Sequence, residues 1–173
     1  MAVIKKLIMD KGKQNVVLDW IRKIHVLEHA HRLESIYWKN TNFYLGIPAL
    51  IISAIIAPIT ALNETSNSLI IISTVAGVIV AILVGLQTFL KPGEIAEQHR
   101  QSSNTFEKLR HKFEFIYEFE TDEKKLDKEV NKLRETWGEI DQMNISQTNF
   151  KKASEWINDS KKYPEEFSLN KDE

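Results

Sequence analysis

Residues 43–90 constrain this chain more than any other stretch, because they form two uncharged apolar runs joined by a short polar turn. The first run, 43–62, is 20 residues long and the second, 69–90, is 22. An α-helix rises about 1.5 Å per residue, so each run makes a helix roughly 30 Å long, the thickness of a bilayer's hydrocarbon core. Residues 69–90 hold 14 Leu, Ile, Val or Phe. At about −0.3 to −0.6 kcal/mol each, these favour insertion by roughly 4–8 kcal/mol. Gln87 is the only strongly polar side chain in that run. The first run holds 10 such residues and two prolines, Pro48 and Pro58. Membrane helices tolerate proline where neighbouring helices or hydroxyls satisfy the freed carbonyls, and Ser53 and Thr60 are placed to do so. The alternative is a pair of buried helices in a soluble protein. Two such runs around a six-residue turn argue against it.

The turn, Asn63-Glu64-Thr65-Ser66-Asn67-Ser68, is too short for anything but an antiparallel return, and it carries no Lys or Arg. Lys39 precedes the first span; Lys91 and Arg100 follow the second. The positive-inside rule then predicts both termini in the cytoplasm and the turn outside. Asn63-Glu64-Thr65 fits a glycosylation pattern, but it lies against the membrane and is read as chance. The expected fold is an all-α membrane protein, a two-helix transmembrane hairpin with long amphipathic cytoplasmic helices before and after it. By region, 1–42 is a cytoplasmic N-terminal amphipathic helix and 43–90 the hairpin. Residues 91–160 are a cytoplasmic helical region and 161–173 a flexible tail.

Small residues form a seam along each span: Ala49, Ser53, Ala57 and Ala61 in the first, and Ser73, Gly77, Ala81 and Gly85 in the second. The i, i+4 spacing is expected to hold each seam on one face and permit close backbone approach. Either the two seams close the hairpin on itself, or at least one packs against another subunit. The spans contain no Asp, Glu, Lys, Arg or His, which argues against a proton or ion relay and so against a pump. A pore built from several subunits stays open as a reading, with Ser53, Thr60, Ser73, Thr74 and Gln87 as candidate lining residues. Local helix–helix hydrogen bonding is the competing assignment for each.

The flanks are polar. Averaged over the whole chain, mean hydropathy is −0.29, a value that conceals the apolar middle. Residues 1–42 hold 8 Lys/Arg and 4 Asp/Glu, whereas 91–173 hold 15 and 19. The basic first part suits anionic headgroups and the acidic second part is repelled by them; neither is basic enough for nucleic acid. There is no cysteine, hence no disulfide and no Cys-based zinc site. The apolar stretch at residues 1–9 is too short for a cleavable signal peptide.

Val17, Trp20, Ile21, Ile24 and Leu27 repeat at helical spacing, and Tyr37, Trp38 and Tyr44 sit where an interfacial aromatic belt is expected. His25 and His29 are at i, i+4, but a metal needs further ligands and Arg32 stands beside them, so a solvated polar face is the expectation. Pro92 should end or bend the second span. A helix should then run to about Phe119 with a heptad seam of Ile95, His99, Ser102, Phe106, Leu109, Phe113 and Ile116. Its partner is either the Val17–Leu27 face or another subunit. A second seam, Leu126, Val130, Leu133, Trp137 and Ile140, is out of register with the first by one residue, which favours a separate helix after Thr121-Asp122. Phe150, Ala153, Trp156 and Ile157 predict a last short helix after a polar loop at 144–148. No P-loop, GxSxG, HExxH or GxGxxG motif is present, and the carboxylates lie on helix faces that also carry Lys, so no enzyme, metal or cofactor is expected.

Residues 15–120 resemble the SLATT superfamily, the SMODS and SLOG-associating two-transmembrane effector domains. The resemblance is carried by His31-Arg32 and Tyr37 before the hairpin. After it come Phe89, Pro92, Glu94, His99-Arg100, Phe106 and Leu109, similar to the family's Pro-x-Glu, His-Arg, aromatic-x-x-Leu pattern. Ser102 and Ser103 stand where that pattern has Ala, and Phe106 where it has Tyr. The resemblance implies a pore-forming effector of prokaryotic antiviral defence in the bacterial inner membrane. Such a protein homo-oligomerises and causes cell death or arrest when a nucleotide-signalling partner detects infection. It implies no catalytic residue. Pro92, Glu94, His99 and Arg100, with Phe106 and Leu109, would couple the cytoplasmic helices to the second span. The competing expectation is a non-pore anchor or scaffold that recruits a soluble partner through residues 94–157.

Overall fold

The computed structural model of the chain describes residues 11–61, 66–120, 122–140 and 143–164. Every regular element among them is a helix: α1 (Lys11–Ala61), α2 (Asn67–Leu90), α3 (Pro92–Phe119), α4 (Glu123–Glu139) and α5 (Gln147–Asp159). The chain divides into two compact units, one of Met1–Glu34 with His99–Glu173 and one of Ser35–Gln98.

Local chemistry sets the helix ends. In α1 the polar triplet at 40–42 causes no break, because the Thr41 hydroxyl turns back onto the Tyr37 carbonyl at 3.0 Å instead of competing for the helix. Both Pro48 and Pro58 lie inside α1. The expected rescue by Ser53 is corrected by the structure. Its Oγ donates to Ala49 O at 2.7 Å, whereas the carbonyl that Pro48 frees is that of Tyr44. The Thr60 side chain, Leu62 at the end of the first span, residues 63–65 of the turn and residues 165–173 of the expected tail lie outside the described residues. At its far end α2 stops at Leu90, Lys91 turns left-handed at φ 46, and Pro92 opens α3 at a position where a missing N–H costs nothing. Asp122 caps α4 by accepting from Lys124 N at 3.0 Å, and Ser146 caps α5 by accepting from Asn149 N at 3.3 Å.

In the unit of Met1–Glu34 and His99–Glu173, three apolar faces meet. Val17, Ile21 and Ile24 of α1 bury against Phe106, Leu109 and Phe113 of α3 and Leu126, Val130 and Leu133 of α4. A second cluster joins Val26 and Ala30 of α1 to Ala153 and Ile157 of α5. Tyr163, inside the stretch read as tail, packs on both clusters. In the unit of Ser35–Gln98 most of the large apolar residues described are exposed, while Ala49, Pro92 and Ala96 are buried. No residue of α2 is buried and Phe89 is 86 % exposed. One stretch in α1 and one in α2 are long and apolar enough to cross a membrane.

The seam of α3 differs from its reading. His99, Phe106, Leu109 and Phe113 are buried, but the neighbouring column is Ala96, Ser103 and Arg110, with Ser102 half-buried. Apolar periodicity favoured the 95–102–109–116 column. Polar partners on α1 draw part of the buried stripe one residue round the helix.

Candidate functional site

Two candidate sites emerge, one in each unit. The first is a layer of polar side chains buried between α1 and α3. Glu28, His31 and Glu34 of α1 and His99, Ser103 and Arg110 of α3 are all buried. Arg110 Nε donates to Glu28 Oε2 at 2.8 Å, and its Nη1 donates to Glu114 at 2.8 and 3.0 Å. Lys162 Nζ closes the chain on Glu114 at 3.0 Å. Ser103 Oγ donates to the Glu28 carbonyl at 3.0 Å. Glu34 Oε1 accepts from the Ser146 backbone N–H at 2.7 Å, which ties the start of α5 to α1.

His31 and His99, 68 residues apart, meet through their Nδ1 atoms at 2.9 Å. One ring must therefore donate and the other accept. His31 Nε2 is buried without a partner. A bare lone pair there costs less than an orphaned N–H, so we assign the Nδ1–H to His31 and the acceptor role to His99. His31 also stacks on Phe106, with ring centroids 5.4 Å apart and planes 12° apart.

Burial holds the His31 pKa down at about 4, with the charge of His99 acting the same way. Burial lowers His99 as well, against the pull of Glu34. Both shifts favour the neutral form, and the shared hydrogen bond requires at least one ring to be neutral so that its Nδ1 can accept. Burial would lower Arg110 and raise Glu114, but the hydrogen bonds of the Glu28–Arg110–Glu114–Lys162 chain reverse both shifts. Burial and the charges of Arg110 and Lys162 hold His25 at about 4; its Nδ1 lies 3.0 Å from Tyr163 Oη. His29 stacks on Trp156 with centroids 4.3 Å apart. Among the described residues no three His, Asp or Glu converge as a metal set. Apart from His31 Nε2, the layer consists of polar groups that satisfy one another, and what it can do is fix the register of α1 on α3.

An open cavity of about 390 Å³ lies between α1 and α4, lined by Val16, Val17, Trp20, Leu126 and Val130. Its one lining carboxylate, Asp127, is paired with Lys13 at 2.9 Å.

The second site is the apolar pair of stretches in the unit of Ser35–Gln98. In α2 the half-buried residues are Ser73, Ala76, Val80, Leu83 and Gln87, alternating by three and four. Gln87 Nε2 donates to Asn42 Oδ1 of α1 at 2.8 Å. Of the small-residue seams, Ala49 is buried and Ser73 half-buried, whereas Ser53, Ala57, Gly77, Ala81 and Gly85 are exposed. The Ala61 side chain lies outside the described residues. The reason is geometric. Steps of four advance the helix by about 400°, so a strict i, i+4 run drifts about 40° per step and leaves a face that alternating threes and fours keep. A Cβ built at Gly77 or Gly85 meets nothing within 4 Å.

Of the candidate pore-lining residues, Ser53 turns to Ala49 O at 2.7 Å. Ser73 and Thr74 turn to Ile70 O at 2.9 and 2.8 Å. Gln87 turns to Asn42. Among the motif residues, Pro92, His99, Phe106 and Leu109 are buried, Glu94 is exposed and paired with Lys91 at 3.2 Å, and Arg100 is exposed. The structure therefore brings His31 to His99 and Phe106. Apolar periodicity gives no sign of Glu28, Glu34, Asn42, Ser103, Arg110 or Tyr163. No family model, curated protein or solved structure matches this chain.

Proposed function

We propose that this chain is an integral membrane effector that oligomerises through the outward face of α2 and, once assembled, permeabilises the membrane. In this reading residues 43–90 form a transmembrane hairpin with both termini on the cytoplasmic side of a bacterial inner membrane. Lipid and further copies of the chain are its partners, and a nucleotide-signalling protein or its product is the trigger. The observation that supports the reading best is the openness of α2. Gly77 and Gly85 face empty space, Ala81 between them is exposed, and no residue of the helix is buried. Surface this apolar needs lipid or another copy to cover it. Helices in lipid associate by close packing at small residues, since no hydrophobic drive acts between them.

The test is substitution on that face. Gly77→Leu and Gly85→Leu should abolish ion flux in liposomes and toxicity in cells while leaving membrane insertion intact. If both variants stay fully active, this face is not the assembly surface. A non-pore anchor is the second reading, and a different observation favours it. Phe115 and Phe119 lie side by side on α3, their ring centroids 4.9 Å apart, while 63 % and 64 % exposed, a patch suited to a soluble partner. An anchor gives no flux from pure protein at any oligomeric state.

A further inference from the structure

We propose that Lys91 is a swivel between α2 and α3, and that Ser35, Asn42 and Gln87 form the clasp that holds it in one setting. The parts all belong to the unit of Ser35–Gln98. The last backbone bond of α2 runs from Lys91 N to Gln87 O at 3.1 Å, and the first of α3 run from Glu94 N and Ile95 N to Lys91 O at 3.0 and 3.2 Å. Lys91 alone stands between the two helices, and Pro92 has no N–H to carry a helical bond across the joint. The direction of the chain there depends on the two torsions of one residue. Those torsions, φ 46 and ψ 49, are left-handed, a conformation that a side-chain-bearing residue adopts only at a cost. Such strain persists only where surrounding contacts over-determine it.

The contacts come from α1, one on each side of the swivel. Ser35 Oγ donates to Ala96 O at 2.8 Å on the α3 side. Asn42 Oδ1 accepts from Gln87 Nε2 at 2.8 Å on the α2 side. Ser35 and Asn42 are seven residues apart, two helical turns, so one face of α1 holds both. Gly46, one turn further, provides the space: a Cβ there would lie 3.0 Å from Gln87 Nε2. Gly93 lies over the other amide of the pair, its Cβ position 3.7 Å from Asn42 Nδ2. The clasp is made of directional hydrogen bonds rather than apolar packing. Losing one of them frees a helix to turn about Lys91 and relieves the left-handed strain.

The chain has no cysteine, so Val78→Cys and Glu97→Cys can carry the only two nitroxide labels. The full chain, spin-diluted with unlabelled protein in detergent micelles, should give one narrow distance by pulsed electron resonance. Gln87→Leu removes the amide at nearly constant size and should at least double the width of the distribution or add a second distance. Lys91→Gly, which frees the torsions, should do the same with helix content unchanged by circular dichroism. Gly85→Ala, whose methyl meets nothing, should leave the distribution as it was. Wild-type widths in both Gln87→Leu and Lys91→Gly would overturn the proposal. If Gln87→Leu loses helix content, Ser35→Ala takes its place with the same expected broadening. The readout uses neither flux nor oligomer mass, so its failure is separate from any failure of the pore.

Discussion

His31 is the residue at which burial, tautomer and pH meet. Its ring is fully buried, its pKa sits at about 4, and its ordinary value in an unfolded chain is about 6.5. Below pH 6.5 the unfolded chain binds a proton that the folded ring refuses, so stability falls as pH drops from about 6.5 towards 4 and is flat above that window. His25 and His99 are lowered too, and act in the same direction. For His31 alone the loss is about 2 kcal/mol by pH 5. Thermal unfolding followed by circular dichroism between pH 7.5 and 4.5 should show the decline, and an unchanged melting temperature across that range would contradict it. The sequence placed His99 on the heptad seam of α3 and His31 in a motif piece before the hairpin, without setting one against the other. Helical spacing says which residues share a face of one helix, but it does not say which residues 68 positions apart will touch.

At the scale of the element, the apolar faces of α1, α3 and α4 were legible because each repeats at three and four residues and each meets an apolar partner. What the periodicity missed is the polar side of the same interface. Ser103 and Arg110 continue the spacing of His99, Phe106 and Phe113 by steps of four and three, but a charged residue is normally read as outward. Arg110 is buried because Glu28 waits for it at 2.8 Å, and no rule of composition announces that pairing. Truncation should expose the cost. Arg110→Ala leaves the buried Glu28 carboxylate without its charge partner and should destabilise the α1–α3 interface by about 3–5 kcal/mol in chemical unfolding. A loss below about 1 kcal/mol would mean that water reaches the site. The seams of α2 carry the opposite lesson. Gly77, Ala81 and Gly85 stood out in the sequence, yet the face they form drifts off the half-buried stripe. The stripe that Gln87 ends is held by alternating steps and a hydrogen bond to Asn42.

Taken whole, the molecule separates two kinds of surface. One unit buries apolar residues in two clusters and pairs the charges of its buried layer. The other leaves nearly all of its apolar residues outside. In the proposed function, further copies of the chain cover part of that outside. The most direct measurement is the mass of the extracted protein by light scattering, with the detergent or lipid contribution subtracted. Wild-type protein should give a defined oligomer of ring size that dissociates in Gly77→Leu. A wild-type protein that stays a clean monomer, with and without the trigger, would contradict it.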